Sequence, residues 1–263
     1  MTGHSERSAA VAGGELRVWE KGEGSGICWF AGLPGLPRWL PVLDRLAEAH
    51  RVAAPSLPGA PGGQSADLLD EHVDWLLAAR DAHRAADTEG GALVGASSGG
   101  ALAADVAAVW PEAVGRLVLI APFGLFDEAE PVADVFAQRP ADRSPLLTAR
   151  PDEFDAWTAF GTDDAGEAME WDIAMQRATN AAARLLWPLG DTRLATRLAR
   201  IACPTLLIWG GDDRVMPRSY AARIADAISG PARVEIVPGA GHMAEFDRPG
   251  AVAGAIAAFL AEG

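Results

Sequence analysis

The sequence predicts a doubly wound α/β protein: a mostly parallel sheet covered by helices on both faces, with a helical segment inserted before its last strands. Three observations carry this. Short apolar runs alternate with helix-length stretches along most of the 263 residues, the order that builds a parallel sheet from crossover units. The middle runs are continuously apolar rather than alternating, as strands covered on both faces are. Between about residues 122 and 200 the alternation stops, and helix-like segments follow one another without a strand.

In chain order, residues 1–14 contain polar and small residues with no long apolar run, and read as a mobile tail carrying His4. ELRVWE (15–20) and ICWFAG (27–32) are rich in apolar and aromatic residues and read as strands. PVLDRLAEAH (41–50) opens on a proline, which suits the first turn of a helix, and ends on His50. RVAAPS (51–56) is the next strand, DLLDEHVDWLLAARDAH (67–83) a helix carrying His72 and His83, and ALVGAS (92–97) a fully apolar strand. Alanine, the best helix former, fills ALAADVAAVWPEAV (101–114). RLVLIAP (116–122) is a strand, followed by the helical insertion. TLLIWG (205–210), a helix at SYAARIADAI (219–228), RVEIVPG (233–239) and a closing helix at GAVAGAIAAFLAEG (250–263) complete the chain.

Composition narrows the function. A hydrophobic fraction of 49% fits a soluble globular protein, and a net charge of −14 opposes a polyphosphate partner, so no nucleic acid is expected. No stretch approaches the roughly 20 apolar residues of a bilayer span, and the beginning of the chain lacks a signal-like apolar core, so no membrane association and a cytoplasmic location are expected. Cys28 and Cys203 are far apart and set among apolar residues, which reads as two buried free thiols. With no HExxH or clustered cysteine pattern, neither a metal nor an organic cofactor is expected. The partner expected is a small-molecule substrate, and the oligomeric state is left open.

The chemistry-bearing stretch is GASSGG, residues 95–100, at the junction of an apolar strand and a helix. The pattern G-x-S-x-G fits Gly95-Ala96-Ser97-Ser98-Gly99, and centring it on Ser98 would need a glycine where Ala96 stands. A serine on so tight a turn needs small neighbours two residues away, and the helix beginning there points N–H groups at developing negative charge. A hydroxyl nucleophile needs a base, and the base an orienting acid. Of five histidines, His242 alone lies in a loop at the carboxyl end of a strand, where open α/β sheets place their sites. Asp212 and Asp213 follow the preceding strand and both qualify as the acid.

In this order of serine, aspartate and histidine, and in the motifs FAGLPG, GASSGG, CPTLLIWGGDDRVMP and GAGHMAEFDRP, nearly the whole chain resembles the α/β-hydrolase superfamily, in its branch of capped esterases and carbon–carbon (meta-cleavage-product) hydrolases. The resemblance implies Asp213 rather than Asp212 as the acid, with Asp127 as a fallback, and an oxyanion hole from the backbone N–H groups of Leu33 and Ser98. It implies a core of residues 1–121 and 201–263 around a cap of residues 122–200. Two departures stand out. Ala31 replaces the usual histidine before Gly32, and Ser56 replaces the usual aspartate after the 51–55 strand, with a second histidine missing from the loop that follows. Either these changes compensate one another, or the oxyanion loop is held less firmly.

The expected activity is hydrolysis of an ester or related acyl bond through an acyl-enzyme. The rivals are carbon–carbon hydrolysis of a vinylogous diketone, perhydrolysis without a cofactor, and a non-catalytic receptor on the same fold. Ala96 and Met243 stand where the carbon–carbon enzymes often carry asparagine and tryptophan, which weakens that rival. The aromatic and methionine residues of the insertion suggest an apolar or aromatic substrate lined by Trp39, Trp157, Met175, Trp187 and Met243. Arg177, Arg184 and Arg193 are candidates for a substrate carboxylate, against the commoner role of surface cations.

Overall fold

The apolar runs become the strands of one eight-stranded sheet in the computed structural model, which describes residues 3–188 and 191–262, the Pro140 side chain excepted. The strands are β1 (Ser5–Val11), β2 (Gly14–Lys21), β3 (Ser25–Phe30), β4 (His50–Pro55), β5 (Ala92–Ala96), β6 (Arg116–Ile120), β7 (Thr205–Gly210) and β8 (Ala232–Val237). Their order is β1-β2-β4-β3-β5-β6-β7-β8. β2 pairs antiparallel with β1 and β4, and every later pairing is parallel. Every residue of the central strands β5 and β7 is buried, which explains their unbroken apolar sequences. β8, at the edge, leaves Arg233 and Glu235 exposed, charges of the kind that discourage further strand pairing.

The helices are α1 (Pro41–Leu46), α2 (His72–Ala85), α3 (Ser97–Val109), α4 (Pro140–Leu147), α5 (Pro151–Thr158), α6 (Ala165–Leu185), α7 (Ser219–Ala227), α8 (Ala244–Asp247) and α9 (Pro249–Leu260). α3 is buried from Ser97 to Ala108. Its alanines and glycines let it lie against the sheet: a Cβ on Gly95 would stand 2.6 Å from the Ala103 Cβ, and one on Gly100 2.9 Å from the Pro122 Cβ. Asp105 on this helix is fully buried and binds Arg197 Nε (2.6 Å) and His72 Nε2 (2.6 Å), tying α2 and the chain before β7 to the helix that starts at Ser97.

Several boundaries differ from expectation. The supposed tail forms β1, paired with β2 from Ser5↔Glu20 to Val11↔Gly14, because Gly13 and Gly14, at φ +94° and +139°, close a tight hairpin. His4 stacks on Trp39 at 4.8 Å. His50 begins β4 rather than ending a helix, and its Nδ1 meets Ser25 Oγ at 2.8 Å. α2 starts at His72, where Glu71 and Asp74 form a capping box, instead of at Asp67. α3 stops before Pro111, and Gly263 of the closing helix lies outside the described residues. Between β6 and β7 lie α4, α5, α6 and two single 3-10 turns (194–196 and 198–200), with no strand among the described residues; Leu189 and Gly190 fall outside them.

Candidate active site

Ser97 stands where β5 meets α3, with φ +51° and 3% exposure. A non-glycine residue at positive φ is strained, and the surroundings hold it there. Its carbonyl accepts the Phe123 N–H at 3.2 Å. Glycines on both sides of the corner are required by contact: a Cβ on Gly99 of α3 would stand 2.4 Å from the Ala31 oxygen, and one on Gly32 in the loop after β3 2.6 Å from the Ser97 Cβ.

The loop after β8 delivers His242, 1% exposed, with Nε2 2.9 Å from Ser97 Oγ and Nδ1 3.1 Å from Asp213 Oδ2. A carboxylate only accepts, so Nδ1 carries the proton and Nε2 is left to accept from the serine hydroxyl. Asp213 Oδ1 takes the N–H groups of Val215 (2.8 Å) and Met216 (2.9 Å), turning Oδ2 toward the imidazole. Both side chains of the His242–Asp213 pair are fully buried, and Phe123 packs its ring against His242 at 5.4 Å. Gly210 permits the approach of the β7 and β8 loops, since a Cβ there would stand 1.9 Å from the Gly241 oxygen. Asp212 is exposed, and Asp127 pairs with Arg223 at 2.7 Å at the surface. The other histidines are elsewhere: His72 joins Asp105, and His83 is buried beside Arg80, where burial first and that cation second lower its pKa to about 4.

Leu33 and Ser98 line one small cavity of about 30 Å³ together with Ala31, Gly32 and Leu102. Ser98 lies in the first turn of α3, where N–H groups lack intrahelical acceptors. The loop carrying Leu33 is held by Arg17 on β2, which donates from Nη2 to the Leu36 oxygen (3.0 Å) and the Pro61 oxygen (2.9 Å). Sequence reasoning missed this brace.

A larger cavity of about 480 Å³ shares Leu33 with it, with Pro34, Phe136, Arg143, Leu147 and Met175 among its other walls. Of the expected cleft residues, Met175 is present there. Met243 is buried beside His242, with its N–H on the Leu147 oxygen at 2.8 Å. Three expectations need correction. Trp157 packs between Phe154 (5.7 Å) and Phe246 (5.6 Å), outside the lining, because neighbouring rings take both its sides. Trp187 is 76% exposed. Trp39 lines a separate surface depression with His4 and Lys21, held there by its Nε1 bond to Asp44 (3.0 Å). Arg177 and Arg193 are exposed, and Arg184 pairs with Asp70. The cation in the cavity wall is Arg143, which the sequence pattern of a short polar helix did not single out.

Glu245, in the first turn after His242, is 2% exposed and its Oε2 has no hydrogen-bond partner. Burial pushes its carboxyl up to about 7, with Asp247 and Asp213 acting in the same direction and His242 opposing. Cys28 is buried and Cys203 half-buried, both free; burial pushes both thiols up. Among the described residues, no group of three His, Cys, Asp or Glu is placed to hold a metal, and no helix is long and apolar enough to cross a membrane.

A sheet of this order, with a serine at a strand–helix corner facing a histidine from the last strand's loop, defines an α/β hydrolase. The chain belongs to the alpha/beta hydrolase family, whose model matches residues 24–255. Two relatives, the dihydrolipoyllysine-residue acetyltransferase components of the acetoin cleaving systems of Pseudomonas putida and Cupriavidus necator, are 32% and 29% identical over 98% and 91% of this chain, which spans 70% and 65% of their lengths. The 2-hydroxy-6-oxo-6-phenylhexa-2,4-dienoate hydrolase of Comamonas testosteroni is 29% identical over 87% of this chain and 85% of its own. Among solved structures, a serine hydrolase involved in carbazole degradation is 26% identical, covers 98% of both chains and superposes with a TM-score of 0.74.

Proposed function

We propose that the chain is a serine hydrolase cleaving an ester or related acyl bond of a small molecule through an acyl-enzyme on Ser97. The observation that carries this is the buried run from Ser97 Oγ through His242 to Asp213, set on a positive-φ corner. Ser97 Oγ attacks the substrate carbonyl as His242 Nε2 takes its proton. The carbonyl oxygen becomes an oxyanion facing the N–H groups of Leu33 and Ser98, where fixed donors stabilise charge without reorganising. The tetrahedral adduct collapses, His242 returns the proton to the leaving group, and water repeats the sequence to free the acid. Asp213 holds the imidazole tautomer and stabilises its charged form. The insertion, α4 to α6, acts as a cap whose cavity sets substrate choice.

Carbon–carbon hydrolysis of a vinylogous diketone is the second reading, favoured by the relative named as a hydrolase of a dienoate. One experiment separates the readings: a fluorophosphonate should label Ser97, and Ser97→Ala should abolish labelling while Ser98→Ala retains it. Turnover on a panel of aryl and alkyl esters with one vinylogous diketone then decides the reaction. Diketone cleavage without ester activity favours the second reading, and no labelling of intact protein leaves a non-catalytic receptor.

A further inference from the structure

Arg143 on α4 is a half-buried cation in the wall of the 480 Å³ cavity. Its Nε donates to the Val135 oxygen at 3.1 Å and its Nη2 to the Gln138 oxygen at 3.5 Å, so backbone carbonyls hold one edge of the guanidinium plane. Among the described residues, no carboxylate lies within the 4.0 Å of an ion pair, and Nη1 has no acceptor. The neighbouring arginines differ: Arg139 pairs with Asp142, Arg150 with Glu153 and Arg184 with Asp70. Partial burial pulls the Arg143 pKa down, the signature of a cation that has lost water without gaining a counter-charge. Such a group favours an anion that restores the missing charge-assisted bonds, and the planar fork suits a carboxylate.

We infer that Arg143 is the subsite for a carboxylate on the substrate, so that the hydrolase acts on small acyl compounds carrying an anionic group at the end remote from the scissile carbonyl. The cavity runs from Arg143 on α4 to Leu33, which also lines the small cavity that holds Ser98, the neighbour of Ser97, so the inferred substrate spans it with its carboxylate on the guanidinium and its carbonyl at the Leu33 end. Two carboxylates share the cavity. Asp155 accepts the Ser144 hydroxyl, and Asp172 stands exposed on α6. Both oppose an anion, and either would instead draw an ammonium group, so a cationic substrate is the outcome that counts against the inference. This assignment rests on the serine-hydrolase reading above.

The test uses three 4-nitrophenyl esters of matched acyl length, ending in a carboxylate, a methyl and an ammonium group, with wild type, Arg143→Met and Arg143→Lys. Wild type should have its highest kcat/KM on the carboxylate ester. Arg143→Met should lower that value about 10- to 100-fold, mainly through KM. Its loss on the methyl ester should be at least tenfold smaller, and Arg143→Lys should recover part of the preference. Fluorophosphonate labelling of Ser97 in each variant establishes that the site is intact. Equal losses on all three esters, or a wild-type preference for the methyl or ammonium ester, would overturn the inference while leaving the hydrolase reading standing. If no ester is turned over, calorimetric titration with glutarate replaces kinetics: binding to wild type that Arg143→Met abolishes supports the subsite, and no binding to wild type refutes it.

Discussion

Glu245→Gln isolates the cost of one buried carboxyl. Glu245 is 2% exposed with an unpartnered Oε2, and burial raises its pKa from an ordinary 4.5 to about 7. Between those values the unfolded chain has released the proton and the native state still holds it, so stability falls as pH rises through this window and levels off above about 7. A shift of 2.5 units corresponds to about 3 kcal/mol in all, at about 1.4 kcal/mol per unit. About a quarter of this is already spent by pH 5, so about 2 to 3 kcal/mol should be lost between pH 5 and pH 8. Glutamine is neutral throughout and nearly isosteric, while every other titrating group is shared by the two proteins. Urea unfolding of wild type and Glu245→Gln at intervals from pH 5 to pH 8 should therefore give a difference that moves by about 2 to 3 kcal/mol in favour of the glutamine variant. Parallel stability curves would refute the reasoning, and a shift of opposite sign would mean that Glu245 is held ionised.

Asp213→Asn should lower turnover about 10⁴-fold by presenting the wrong partner to His242 Nδ1, whereas Asp212→Asn, at an exposed carboxylate, should fall far less, by steady-state kinetics on any hydrolysed ester. Gly99→Ala should cost about 1 to 3 kcal/mol or more, because its Cβ meets the Ala31 oxygen at 2.4 Å, and should lose fluorophosphonate labelling; Gly254→Ala, with nothing within 4 Å on α9, should gain about 0.5 to 1 kcal/mol in urea unfolding. Asp105→Ala should lose about 3 kcal/mol by the same measurement, since it leaves the Arg197 and His72 side chains, 21% and 33% exposed, without their buried partner. Arg17→Met should slow all three nitrophenyl esters alike, by up to about 10²-fold, as a displaced oxyanion loop would, in contrast to the selective loss at Arg143.

What the sequence made legible is what backbone geometry dictates. The β5–α3 corner was readable because its glycines are forced by contacts under 3 Å, and His242 because it follows a strand into a loop at the sheet's carboxyl end. The residues left Asp212 and Asp213 open, since their difference is rotational: the Val215 and Met216 N–H groups turn Asp213 inward. β1 was missed because SERSAAV has little β propensity of its own and owes its conformation to pairing with β2. The cleft was least legible. Aromatic content announces burial without naming the face, so Trp157 finds rings, Trp187 finds solvent, and the cavity's cation comes from a helix with no distinguishing pattern.

Arg17 braces the loop proposed to supply the Leu33 N–H, in a chain that carries Ala31 and Ser56 where the family resemblance implies a histidine and an aspartate. Arg17 joins the loop after β3 to the loop after β4 through the Leu36 and Pro61 oxygens, while its own N–H bonds the Gly62 oxygen and its own oxygen accepts the Ser56 N–H, each at 2.8 Å. Gly62 leaves room for the guanidinium, since a Cβ there would stand 2.8 Å from Arg17 Nε, and Trp19 lies under it at 3.7 Å. The acceptors are backbone carbonyls, so no side chain at position 31 or 56 is needed to complete the connection. A histidine brace would change charge near neutrality, with an ordinary pKa of about 6.5, whereas a guanidinium stays charged at any pH an enzyme meets, even with burial pulling it down. In the proposed mechanism, the geometry that presents the Leu33 N–H is therefore independent of the proton transfer at His242. The connection between the two loops is thus independent of the side chains at 31 and 56, so those departures do not by themselves argue against the proposed site.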